Sequence, residues 1–399
     1  MTAFDPMSPE FLADSNAVFK AYRESAGAYR HEEVWPAPVV SILRHEDVRV
    51  SFRDFTTFSS YVPPEFRHLE LGDAISMAGE DPPVHSRIRG AVNRKFTGRA
   101  LKDFEPDVRA IVEQCFDEAF EHGEIDMVEG VAAKIASQVI ARLIGVPVED
   151  AGLMRDWTRV QSTFNGASFW LTGPDDPNIE RYTRITAEIG EQMQDYFAAL
   201  YDERVKNPQD DLLSHIIESE LERQEGIALA KMLMLAGNDT TMTLMNNIAM
   251  CLIDHPDQDR LVRSEPDRIP DALEETLRFA PSIRWSPRAA TRDCEIAGVP
   301  ISKDEGVVFW IGSANRDERV FTNPDVFDIA RPSEAPHLTF GSGIHVCLGL
   351  ILARMEGRIF LETLVARTTR MERTKADMPP IQTPAFFGVT EQLVRLHPA

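Results

Sequence analysis

The stretch Phe340-Gly341-Ser342-Gly343-Ile344-His345-Val346-Cys347-Leu348-Gly349, followed at once by a helical pattern, governs the reading of the whole chain. Gly341 and Gly343 allow turns closed to other residues, and Gly349 lets a flat group approach the first helical turn. Cys347 is then expected at a helix N-terminus, where free backbone N–H groups and the positive dipole end favour thiolate over thiol. A soft or redox-active metal requires such a thiolate. A dinucleotide fingerprint fails here, because the third glycine of Gly-x-Gly-x-x-Gly is replaced by Val346. Cys347 and His345 make a poor nucleophile and base: side chains two apart near a helix start seldom meet, and no papain-like or caspase-like signature surrounds them. On the residues alone, a structural cysteine in a glycine-rich turn stays open beside the metal ligand.

Outward from this loop, the chain reads as an ordinary folded protein. Of its 399 residues 43% are hydrophobic and 27% charged, enough apolar material for a sizeable core and too much for general disorder. Its 42 basic and 64 acidic residues give a formal charge of −22, which repels nucleic acid and anionic membranes. No basic segment followed by an apolar run opens the sequence, and no apolar stretch approaches about 18 residues, so a cytoplasmic, unanchored protein is expected. Cys115, Cys251, Cys294 and Cys347 are far apart and form no Cys-x-x-Cys. Neither a disulfide framework nor a zinc ribbon follows, and the first three read as buried small hydrophobes.

Helical periodicity dominates. Val108, Ile111, Val112, Cys115, Phe116 and Phe120 form one amphipathic stripe ahead of Gly123; Ile189, Met193, Tyr196 and Leu200 trace a second; Leu348 to about Val365 gives a third. Strand-like segments are short, as at Pro38 to Leu43 and Val307 to Ile311. The segment from Ala228 to His255 is apolar nearly all round and stops at Pro256, which predicts a buried helix about 40 Å long. A helix of that span crosses a whole molecule. The fold expected is therefore mainly α with small β-sheets, a single large domain over residues 1–399 around a long central helix.

Inside that helix, Ala236-Gly237-Asn238-Asp239-Thr240-Thr241 inserts polar residues where core is expected. A mid-helix glycine costs roughly 1 kcal/mol relative to alanine, and an unpaired buried carboxylate costs more, so the insertion needs a compensating use or neighbours that satisfy a polar kink.

The cysteine segment resembles, position for position, the cysteine-ligand loop of the cytochrome P-450 family, Phe-x-x-Gly-x-His-x-Cys-x-Gly, with Ala353 and Arg354 continuing the family's helix. The resemblance runs from about residue 15 to the C-terminus, its motifs present in order. It implies haem b, with Cys347 as the axial iron ligand, His345 facing a propionate, and Phe340, Gly341, Gly349 and Ala353 completing the loop around the cofactor. Ala236-Gly237-x-Asp239-Thr240 is similar to the family's acid-alcohol motif, which implies room for dioxygen at Ala236 and Gly237, proton relay by Asp239 and a hydrogen bond from Thr240 to the oxygen. Glu275 and Arg278, three apart and so on one helical face, resemble the family's Glu-x-x-Arg pair, and Arg331 matches the residue that completes its network. His85, Arg89 and Arg288 match propionate contacts, where imidazolium and guanidinium suit carboxylates. Glu318 departs from the family, many of whose members have proline there.

The resemblance thus implies a haem-thiolate monooxygenase that inserts one atom of O2 into a small or medium hydrophobic substrate, aromatic or terpenoid. Phe169, Trp170, Leu233, Ile283, Trp285 and Phe387 fall in the family's substrate-contact regions, although apolar stripes of this kind also make ordinary core. Arg284 leaves open a carboxylate on the substrate, or a side chain in solvent. No flavin or nicotinamide segment is present, so electrons from NAD(P)H are expected through a separate ferredoxin or flavodoxin. Arg94, Lys95, Arg99 and Lys102 are its expected docking site, since residues 87–102 hold six basic side chains and no acidic one. A peroxide-driven peroxygenase and a haem gas sensor remain as alternatives.

Overall fold

The computed structural model describes residues 4–34, 38–61, 77–168, 170, 177–332, 335–381 and 383–399. Its axis is the helix Arg223–Asp254, 32 residues long. The helix begins a turn earlier than hydrophobicity alone predicts, because Glu222 and Glu225 form a capping box and Arg87 Nη1 donates to Glu225 Oε2 at 2.7 Å. It ends before Pro256, as expected. Against it pack the helices Ala133–Ile144, Ala151–Ser168, Pro177–Lys206, Ile269–Phe279 and Leu350–Arg367. One continuous apolar cluster running from Met77 to Val394 joins them.

The first predicted stripe lies on Glu105–Phe120, with Val108, Val112, Cys115 and Phe116 buried. The second is rotated by one position. Met193, Phe197 and Tyr201 point into the core, while Ile189, Tyr196 and Leu200 are half-buried along its edge. Tyr196 is drawn to that edge by a hydrogen bond from its hydroxyl to Asp150 Oδ2 at 2.6 Å. Of the three cysteines expected inside, Cys115 and Cys251 are buried, but Cys294 is only half-buried, on the two-stranded ribbon Cys294–Ile296 and Val299–Ile301.

The larger sheet has five strands. Val39–Ile42 and Gly306–Trp310 run parallel at its centre, flanked by antiparallel Ala28–His31, Trp285–Ala290 and Phe58–Ser59. Ile311, expected in the strand, instead opens the short helix Ile311–Ala314. A three-stranded sheet joins Ile125–Asp126, Leu393–Pro398 and Thr368–Arg373.

Between the helices and the sheet, one buried carboxylate organises the return of the chain. Glu275 accepts two bonds from Arg278, each 2.8 Å, and two from Arg331 Nε, each 3.2 Å. Arg278 Nη1 also donates to the carbonyls of Asn315, at 3.0 Å, and Pro324, at 2.9 Å. Glu318, at the family's usual proline, has a use of its own: it pairs with the buried Arg23 at 3.2 Å.

Replacing Glu275 with alanine strands Arg278, which is 3% exposed, without its counter-charge. The expected cost is about 3–5 kcal/mol, the usual result of breaking a buried pair from one side. Denaturant unfolding measures it, and an unchanged midpoint would show that Glu275 does not hold this region.

Candidate functional site

The clamp around Glu275 reaches the cysteine loop through Asn315. Its carbonyl is held by Arg278, while its side chain accepts from Leu338 N–H at 2.7 Å and donates to Thr339 Oγ1 at 2.9 Å. Thr339 Oγ1 donates in turn to Leu277 O at 2.6 Å. Phe340 follows directly, its ring covered by Arg354 at 4.5 Å, and its carbonyl accepts from the Cys347 N–H at 2.9 Å. Asn315 stands in the Asn-Arg-Asp segment of the sequence, but nothing local in that segment reveals this role.

Gly341 and Gly343 have φ of +68° and +78°, the left-handed turns expected of them. A Cβ on Gly343 would also come within 2.5 Å of the Phe52 carbonyl oxygen, so the loop is pressed against the helix His45–Ser51 and its cap. The helix after the loop begins at Leu350 with Gly349 at its cap, which leaves Cys347 just outside the first turn.

That placement corrects one expectation. The Cys347 thiol is open to solvent-sized contact, yet protein surrounds it closely enough that burial pushes its pKa up; the Gly349 N–H, Arg89 and Arg354 act in the opposite direction and do not overcome it. The thiol therefore faces an enclosed interior space. The helix terminus does not make it a thiolate by itself, and a bound metal cation would.

On one side of this space lies a group of side chains with too few anions. The rings of His85 and His345 are 4.3 Å apart. Both ring nitrogens of His85 and Nε2 of His345 are buried without a hydrogen-bond partner among the described residues. Arg89 Nη2 donates to the Val346 carbonyl at 2.7 Å, and Arg288 Nη1 to Ser286 Oγ at 2.9 Å. Burial, then Arg288, His85 and Arg89, push the pKa of His345 down to about 3; burial brings that of Arg288 to about 10. Asp81, 3.9 Å from His345, is the nearby acid. Orphaned donors of this kind suit a ligand carrying carboxylates. A flat metal complex carrying acidic side groups would fit the donor set, with Cys347 Sγ available to its metal.

The central helix has an accessible stretch of its own. Ala236 is exposed and Thr240, one turn on, is half-buried, although the helix around them is core. Thr240 Oγ1 donates to Ala236 O at 2.7 Å, and Ser282 Oγ, from the segment after the Glu275 helix, donates to Thr240 O at 2.8 Å. Asp239 is buried beside them. Gly237 is half-buried, and a Cβ there would lie 2.8 Å from Ile140 Cδ1, so its small size also lets the helix Ala133–Ile144 approach closely. Ala236 is the more exposed of the two. Ala353, one turn into the helix after Cys347, donates its N–H to Gly349 O at 2.8 Å and stays half-buried.

The expected substrate contacts separate. Trp170 stacks on Trp310 at 5.8 Å and meets Trp285 at 6.0 Å, so both expected tryptophans belong to an aromatic core with Phe4, Phe11 and Phe19. Leu233 is buried in the main core. Ile283 and Phe387 are half-buried and stay available, and Phe169 lies outside the described residues. Arg284 is 3% exposed and so does not point into solvent. Arg94, Arg99 and Lys102 are exposed, while Lys95 reaches Asp210 at 3.7 Å. The short helix Gly98–Lys102 packs on Leu350–Arg367, the helix that follows Cys347.

The sequence profile of the family described as Cytochrome P450 matches residues 12–396. Among curated proteins, the chain is 35% identical to the erythromycin C-12 hydroxylase of Saccharopolyspora erythraea, over 84% of this chain and 83% of that one. It is 34% identical to the cyclomarin C epoxidase CymV of Salinispora arenicola, over 88% of each. Among solved structures, P450BioI in complex with hexadec-9Z-enoic acid ligated acyl carrier protein superposes with a TM-score of 0.88 at 29% identity, covering 97% of this chain and 99% of that one.

Proposed function

Because the chain belongs to the cytochrome P450 family and is an oxygen-incorporating oxidoreductase, we propose that it is a soluble monooxygenase whose substrate is a small or medium hydrophobic molecule held between Cys347 and Thr240. The observation that carries this reading is the set of unpaired donors on His85 and His345, with Arg89 and Arg288, beside the enclosed Cys347 thiol. These side chains would hold the two propionates of haem, and Cys347 Sγ its iron. Haem bound there supplies oxygen activation, to which a thiolate ligand adds electron density that favours O–O cleavage. The protein supplies the rest. The bond from the Cys347 N–H to the Phe340 carbonyl fixes the direction of the loop at the ligand.

On the opposite wall, Thr240 and Asp239 form the proton path in this reading. The Thr240 hydroxyl bonds to its own helix at Ala236 O, so a rotation about χ1 turns it toward the open side and back. Its role is to hold an ordered water or oxygen in line while Asp239 exchanges a proton with it. Ser282, bonded to the Thr240 carbonyl, keeps this part of the helix in place. Electrons come from a separate ferredoxin or flavodoxin docked on Arg94, Arg99 and Lys102, with Lys95 at the edge of the patch. The surface packs on the helix after Cys347, and its charge is opposite to that of the chain as a whole. With this partner the protein works in the cytoplasm.

Cys347→Ser is expected to lose the thiolate-type spectrum of the reduced carbonyl complex, because a neutral hydroxyl donates far less charge. Retention of that spectrum would remove Cys347 as the ligand.

Thr240→Ala should bind haem and substrate as before and consume NADH at a similar rate, but product per NADH should fall by roughly half or more, with the difference recovered as hydrogen peroxide. Parallel accounting of NADH, O2, peroxide and product tests this, and unchanged coupling would shift the role to Asp239 or Thr241. Full turnover with peroxide alone would favour a peroxygenase, and no turnover under either regime a sensor.

Reversing Arg99 and Lys102 to glutamate should slow reduction by the partner roughly tenfold at low ionic strength and flatten its salt dependence, since exposed charge acts mainly on encounter. Stopped-flow reduction at several salt concentrations measures it; equal rates would place the partner elsewhere.

A further inference from the structure

Outside the cluster around Cys347, the most deeply buried arginines among the described residues are matched with acids, Arg284 excepted. Arg23 pairs with Glu318, Arg278 with Glu275 and Arg316 with Asp325, at 3.2, 2.8 and 3.2 Å. Arg284 is as buried as these, at 3% exposure, yet its Nε and Nη1 have no hydrogen-bond partner among the described residues. Its guanidinium lies 5.1 Å from the centre of the Phe387 ring. Asp14, the acid whose field reaches it, forms no ion pair with it and is engaged in capping Ser15–Ser25. Burial brings the Arg284 pKa down to about 10, still leaving it a cation at neutral pH. An unmatched buried cation is costly unless something else supplies the anion.

Its place in the fold says where that anion would sit. Arg284 donates its N–H to Ala385 O at 2.7 Å, and Phe387 N–H donates to Ser282 O at 3.1 Å, with Ile283 paired to Phe386 between them. In such an antiparallel pair, Ser282, Arg284 and Phe387 share one face. Ser282 is bonded to the Thr240 carbonyl, and Asn247 Nδ2 of the same helix donates to Phe387 O at 2.8 Å. Arg284 therefore begins roughly 7 Å along the strand from the Thr240 contact. Arg288 stands roughly 13 Å further along, too far to share one small anion.

We propose that Arg284 anchors the carboxylate of an elongated apolar substrate, with the Phe387 ring against its chain and the carbon to be oxidised lying toward Thr240. The assignment rests on the monooxygenase reading above and narrows its substrate to an apolar acid. A single planar guanidinium, with no second free cation shown beside it among the described residues, matches a carboxylate's one charge and two oxygens better than a phosphate dianion. Neutral aromatic or terpenoid molecules would leave the cation unmatched.

The test uses the haem-loaded protein, titrated with dodecanoate and with methyl dodecanoate while the iron spin-state shift is followed. The wild type is expected to bind the acid roughly tenfold or more tighter than the ester, the usual strength of a hydrogen bond to a charged group. Arg284→Met should abolish that preference, keep the ester's affinity and keep the reduced carbonyl spectrum. Without ligand, Arg284→Met should raise Tm, because methionine replaces an unmatched cation with apolar volume. Equal binding of acid and ester by the wild type, or a fall in Tm for Arg284→Met, overturns the assignment. A wild-type protein lacking the thiolate-type carbonyl spectrum would instead overturn the monooxygenase reading, independently of either titration.

Discussion

The position of the cysteine depends on a carboxylate that never approaches it. Glu275 is 5% exposed and holds Arg278 and Arg331 by charged hydrogen bonds, in surroundings where either partner alone would be strongly disfavoured. Arg278 carries that constraint to the Asn315 carbonyl, and the Asn315 side chain carries it to the backbone of Leu338 and the hydroxyl of Thr339. From Thr339 the loop has little freedom left: its two left-handed glycines and the bond from Cys347 to Phe340 set the rest. In the reading proposed above, the ligand would have to stay fixed against a cofactor through many turnovers, and a loop alone would not give that rigidity.

Electrostatics divides the molecule. The chain carries a formal charge of −22, but near the cysteine its interior gathers the cations Arg89 and Arg288 and the unpartnered ring nitrogens of two histidines, with no ion pair on either arginine among the described residues. The arrangement would be unstable as a permanent feature of an apoprotein, and it suits a cofactor that brings its own carboxylates. The same reasoning applies to the thiol. Burial raises its pKa while the Gly349 N–H works against that rise, so in the reading proposed above a bound iron would supply the charge on sulfur.

The central helix breaks local rules at Ala236 to Thr240 for two separate reasons. At Gly237 a Cβ would lie 2.8 Å from Ile140 of the neighbouring helix, so its small size eases helix packing. Ala236 and Thr240, a turn apart, instead look onto the open side. Adjacent small residues therefore have unrelated uses, and a motif read as a unit merges them.

Much was legible in the sequence because it was local. The buried helix up to Pro256, the turn glycines of the cysteine loop and the pairing of Glu275 with Arg278 depend on periodicity, on backbone conformation or on residues a helical turn apart. What only the tertiary structure decided are the long-range contacts and the faces they assign. The role of Asn315 links segments far apart in sequence, and the rotation of the Met193 stripe is set by neighbouring helices rather than by its own pattern. Trp170 and Trp285 were eligible for the pocket by position but were taken by the aromatic core. Arg284 could have faced solvent on any reading of its neighbours in sequence; pairing with Ala385 to Phe387 turned it inward. Sequence carries local geometry and chemical type, whereas burial and partnership arise only when separated segments compete for the same interior space.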